Sequence, residues 1–115
     1  MEFSHPTYLD FQAAFGCARR SMEDPLVHAY DIEDGSGGIA RVSFHVVAGS
    51  FQLDLIREEA LVLQLVDETA MSVSIRKDAE TAHSELVVDF SGALSVATLA
   101  LVQFPTVCVR MLRLH

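Results

Sequence analysis

Between Asp89 and Arg110 the chain runs for twenty residues, FSGALSVATLALVQFPTVCV, without a charged side chain. A run of that length has to leave water, and it is long enough for a helix to cross a bilayer. Its chemistry favours the core of a soluble domain. Ser91, Ser95, Thr98, Gln103 and Thr106 interrupt the apolar residues, and Gly92 and Pro105 stand where strands begin and end, whereas a spanning helix prefers unbroken Leu, Ile, Val and Phe. The run is read as two strands, Leu94 to Val102 and Thr106 to Leu114, divided at Gln103-Phe104-Pro105. Burial on both faces is expected, under the N-terminal helix on one side and under another layer or a second subunit on the other. A homodimer through a sheet face or edge follows as an expectation, and a membrane partner does not.

Upstream, Pro6 and the Thr7/Asp10 pair have the form of a helix start with a capping box. Tyr8, Phe11, Phe15, Ala18 and Met22 then recur at helical spacing, predicting an amphipathic helix that ends by about residue 22, ahead of Asp24-Pro25. After Pro25 the apolar period becomes two. Leu26 to Glu33 and Ala40 to Val46 read as a hairpin closed by Asp34-Gly35-Ser36-Gly37-Gly38. Pairing Ile32 with Ala40 or Val42 brings Arg41 opposite Asp31 or Glu33. Further strands are expected at Phe51 to Leu55, Ala60 to Val66, Met71 to Ile75 and Leu86 to Phe90, with Lys77 to Glu85 a solvated loop.

These signals predict a single mainly β domain spanning residues 1–115. It is an antiparallel sandwich or small barrel of about seven or eight strands with one N-terminal amphipathic helix. The alternative is α+β, with a helix near residues 54–70, where Glu, Leu, Ala and Gln are abundant. Half of the residues are hydrophobic, so the chain folds despite a net charge of −8. Sixteen acidic against eight basic residues argue against nucleic acid as a direct ligand and for a basic or neutral protein partner. No charged segment followed by an apolar stretch opens the sequence, so a cytoplasmic location is expected. Cys17 and Cys108 belong to no metal-binding or redox spacing and read as free thiols.

Chemistry is sparsely signalled. His5, His28, His45, His83 and His115 show no metal-ligand spacing, no nucleophile elbow occurs, and no cofactor motif is present. Arg19-Arg20 followed by Asp34-Gly35-Ser36-Gly37-Gly38 loosely resembles the PilZ barrels that bind cyclic dinucleotides. Glu23 and Asp24, however, stand where that pattern has its second arginine, and Gly38 comes one residue early, so no dinucleotide site is expected. The leading expectation is a small acidic, non-enzymatic interaction module, of accessory, inhibitor or immunity type. Its partner-binding residues would be Asp54, Glu58, Glu59, Asp67 and Glu68. One alternative is a small-ligand-binding barrel lined by His28, Tyr30 and Phe44. Another is an enzyme using His28 with a nearby carboxylate.

Overall fold

Thr7 starts the N-terminal helix as its residue types require. Its hydroxyl accepts from the Asp10 amide, and the Asp10 carboxylate accepts from the Thr7 amide. In the computed structural model, which describes residues 3–78, 80–91 and 96–114 apart from the side chains of 96–97 and 111–114, helix α1 covers Tyr8–Phe15. It stops about two turns before the expected residue 22. Gly16 takes the left-handed conformation (φ +69°) and its amide closes on the Gln12 carbonyl at 2.9 Å. Ala18 and Met22 therefore leave the apolar stripe and are exposed, as is Tyr8, while Phe11 and Phe15 carry the packing.

Among the described residues nine strands follow: β1 (Arg19–Arg20), β2 (Val27–Glu33), β3 (Gly38–His45), β4 (Phe51–Arg57), β5 (Ala60–Asp67), β6 (Ala70–Lys77), β7 (Ser84–Ser91), β8 (Val96–Val102) and β9 (Cys108–Leu114). They form two antiparallel meanders, β1-β2-β3-β4-β5 and β6-β7-β8-β9. The expected sandwich is observed, and residues 54–70 form strands in place of the alternative helix. The β4–β5 hairpin wins because Leu53 and Leu65, directly paired, both present side chains to the core. In the first hairpin Ile32 pairs with Ala40 and Arg41 with Asp31, and the Arg41 Nε donates to the Asp31 carboxylate at 3.1 Å. The two-residue β1, which pairs with Tyr30 and Ala29, has no periodicity by which a sequence could announce it.

The core lies between the sheets. Tyr30, Ile32, Val42, Phe44, Phe51 and Leu53 face Val73, Leu86, Val88, Phe90, Leu99 and Leu101, with Phe51 meeting Phe90 edge-on at 5.7 Å. Phe11 stacks flat on Tyr30, with ring centres 3.8 Å apart. The helix thus packs where the two sheets meet, against Tyr30 of the first and strand β6 of the second, and its Phe11 and Phe15 share one core cluster with Leu99 and Leu101 of the uncharged run. On the outer face of that run Ala100 is buried beside Val87 and Arg110, while Thr98 donates to Asp89. Glu85, expected in a solvated loop, is 3% exposed, because Arg76 and Arg110 each donate to it at 2.9 Å from either side. The expected strand start at Leu94 and the turn at Gly92 lie outside the described residues.

At one end of the sandwich a buried carboxylate joins the sheets. Asp34, just past β2, accepts from the Ser36 amide and hydroxyl, the Gly38 amide and, across the gap, the Val107 amide. A Cβ at Gly38 would collide with the Asp34 carboxylate and stand 2.8 Å from the Val107 side chain, so this position requires glycine. Gln103 adds a second tie, donating to the carbonyls of Phe15 and Glu33. Burial alone would raise the Asp34 pKa, but the amides of Ser36, Val107 and Gly38 and the Ser36 hydroxyl outweigh it and hold the group well below the carboxylate range. A depressed folded-state pKa stabilises in full above the unfolded value of about 3.9 and loses that contribution as pH falls toward the folded-state value. Asp34→Asn is expected to reduce stability in urea by about 2–4 kcal/mol at neutral pH and to flatten the loss of stability below about pH 4.

Candidate protein-binding surface

Strand β5 reads ALVLQLVD, apolar at both alternating sets of positions, as though both faces were to be buried. It is instead the last strand of its sheet. The pairing skips Val62, which sits in a bulge between Leu61, opposite Ile56, and Leu63, opposite Leu55. Leu65 and the margin of Leu63 face inward. Leu61 and Val66 lie on the outer face, and Leu61, Val62, Leu63 and Val66 are 56, 60, 41 and 63% exposed. Among the described residues no strand pairs with the other side of β5. Four large apolar side chains on one eight-residue edge exceed the scattered exposure that soluble surfaces normally carry.

The five carboxylates named from the sequence take three places around this strand. Asp54 lies mid-hairpin on the outer face, where Gln64 donates to it at 2.9 Å and Gln52 at 3.3 Å. Glu58 and Glu59 form the two-residue β4–β5 turn. Asp67 and Glu68 lie at the far end of β5, where Asp67 accepts from the amide and hydroxyl of Thr69. A strand of this length puts the two pairs about 25 Å apart. The structure therefore does not gather the five into one patch. It sets a pair at each end of an apolar strand. Leu61, Val62, Leu63 and Val66 were missed as surface residues, although a strand apolar on both faces just before a change of sheet is the signal that could have found them.

The β4–β5 turn is itself unusual. Glu58 and Glu59 have φ of 52° and 68°, the left-handed backbone of a type I′ hairpin, where Asn-Gly is the favoured pair. The Glu58 amide donates to the Gly37 carbonyl at 3.0 Å, which docks the turn on the β2–β3 loop. Arg57 reaches the Val107 carbonyl at 3.0 Å and lies 3.9 Å from Asp34.

His28, Tyr30 and Phe44 share the inner face of the first sheet, and His28 pairs with Phe44. Tyr30 and Phe44 are fully buried, with Phe11 on the tyrosine ring. Phe44 borders a shallow cleft of about 320 Å³ with Met22, Val27 and Phe51, a cleft that His28 and Tyr30 do not line. The Tyr30 hydroxyl and His28 Nδ1 find no hydrogen-bond partner among the described residues. Burial, then Arg19 and His5, push the His28 pKa below the usual imidazole value, and the His5 ring lies edge-on 5.1 Å away. Among the described residues neither of these neighbours is a carboxylate. Both cysteines are free, and burial pushes the Cys17 thiol up to about 11. Among the described residues no cluster of three or more His, Cys, Asp or Glu is placed to hold a metal ion, and no helix is long and apolar enough to cross a membrane.

These features define a small two-sheet β sandwich that displays an apolar edge strand between two acidic turns. No family model matches the chain, and no curated protein matches it. Among solved structures, it is similar to a chain of a contact-dependent growth inhibition toxin–immunity protein complex from Klebsiella pneumoniae 342. The TM-score is 0.84, with 99% of this chain and 100% of that chain covered, at 18% identity. What the two share at that identity is the fold. Since the left-handed turn disfavours glutamate, replacing Glu58 with Asn and Glu59 with Gly is expected to raise stability by about 1–2 kcal/mol, read as a higher urea midpoint at unchanged slope.

Proposed function

We propose that this chain is a non-enzymatic, immunity-type protein that binds a basic protein toxin and blocks it, acting in the cytoplasm. The observation that carries the reading is the exposed apolar strand β5 with carboxylates at both ends. A desolvated apolar centre with a charged rim is how protein interfaces are built, and the rim sets partner charge and association rate. The net charge of −8 favours a basic partner. The fold shared with a chain of a toxin–immunity protein complex supports the biological role.

The test is capture of a partner by the tagged chain from the cells that make it, followed by titration of the purified partner. A basic protein whose activity falls to completion at one equivalent of this chain is expected. Glu58→Lys with Glu59→Lys should weaken binding by about tenfold or more and remove most of its salt dependence. Binding indifferent to that reversal would defeat the acidic docking, and a captured partner whose activity is untouched would defeat the immunity role.

A further inference from the structure

Building on the protein-binding reading, the geometry points to strand addition. The open edge of β5 takes an extended segment of the partner, apolar in its middle and carrying Lys or Arg at both ends, as a sixth strand of the first sheet. An edge strand presents a row of unpaired amides and carbonyls, and an added strand satisfies them while its alternate side chains meet both faces. On β5 those faces offer Leu61 and Val66 outside and Leu63 inside. The bulge at Val62 breaks the ladder near the Glu58-Glu59 turn, so the regular pairing lies along Leu63 to Asp67.

Charge selects the occupant. A second copy of this chain is the obvious competitor, and two β5 strands related by a twofold axis would pair antiparallel. That pairing puts Glu58 and Glu59 of each copy against Asp67 and Glu68 of the other, acid on acid at both ends. A strand with basic residues at its ends turns both repulsions into attractions. The same carboxylates that reject self-pairing thus recognise the partner.

Two experiments test this without the toxin, so their failure is separable from failure of the immunity role. In the first, a synthetic peptide of Val-Thr repeats between lysine pairs is titrated to millimolar concentration while backbone amides are followed by NMR. Shifts confined to β5 and its flanking turns are expected. Affinity should fall about tenfold or more when alternate peptide amides are N-methylated, or when glutamates replace the lysines. Binding that ignores N-methylation overturns strand addition, binding that ignores the lysine-to-glutamate change overturns the charge assignment, and no shift on β5 overturns both. In the second, sedimentation follows Glu58→Lys with Glu59→Lys, which converts self-repulsion into attraction. This variant is expected to dimerise while the wild-type chain stays monomeric, and adding Val66→Lys at the exposed edge should restore the monomer. A wild-type dimer with protected β5 amides, or a folded reversal variant that stays monomeric, counts against the proposal.

Discussion

The buried carboxylate of Asp34 determines where the candidate surface sits. Apolar packing between two sheets is non-directional, and many offsets of one meander over the other would bury similar area. Asp34 removes that freedom, because its oxygens accept from Ser36 and Gly38 on the first sheet and from Val107 on the second. The Gly38 and Val107 amides would otherwise be buried without partners, a penalty paid in full for each. The loop so fixed presents the Gly37 carbonyl to the Glu58 amide. The position of the Glu58-Glu59 turn at the end of β5 thus depends on a carboxylate that never reaches solvent.

Much of the architecture could be read from local pattern. The 2-residue period located eight of the nine strands among the described residues, and the Asp34 to Gly38 run with the Arg41 charge match narrowed the first hairpin to two registers, of which the one pairing Arg41 with Asp31 is observed. What escaped was decided by long-range contacts. Glu85 looked like loop until Arg76 and Arg110, from strands on either side, neutralised it. The apolar stripe continued on paper through Ala18 and Met22, but Gly16 ended the helix first. Asp54, Glu58, Glu59, Asp67 and Glu68 are near neighbours in sequence, yet an extended strand spends about 3.3 Å per residue and carries the pairs apart. The apolar content of β5 was legible; its exposure was not, because exposure depends on which strand ends the sheet.

The edges of the molecule are treated unequally. β1 is two residues long and both are arginines, and the β6 edge is bridged in parallel by Ser4, whose carbonyl accepts from the Val73 amide. Short length, charge and a covering segment are the ordinary ways of blunting an edge. β5 has eight residues, no charge between Ala60 and Val66, and no cover among the described residues. Its protection is confined to the bulge at Val62 and to the acids at its ends, which hinder pairing with like-charged chains but leave the strand open to others.

The two glutamates in left-handed backbone fit the same logic. Such residues persist where the surroundings over-determine the conformation, and here the Gly37–Glu58 hydrogen bond and the Arg57 contacts with Val107 and Asp34 hold the turn. A hairpin tip built for stability alone would carry Asn-Gly, which tolerates positive φ without strain but offers a partner no charge. Under the proposed function, keeping glutamates there sacrifices folding stability for negative charge at the end of the apolar edge. The strain at Glu58-Glu59 and the bare apolar edge of β5 are each a cost to a protein that binds nothing, and under the proposed function each is offset when a basic strand lies alongside.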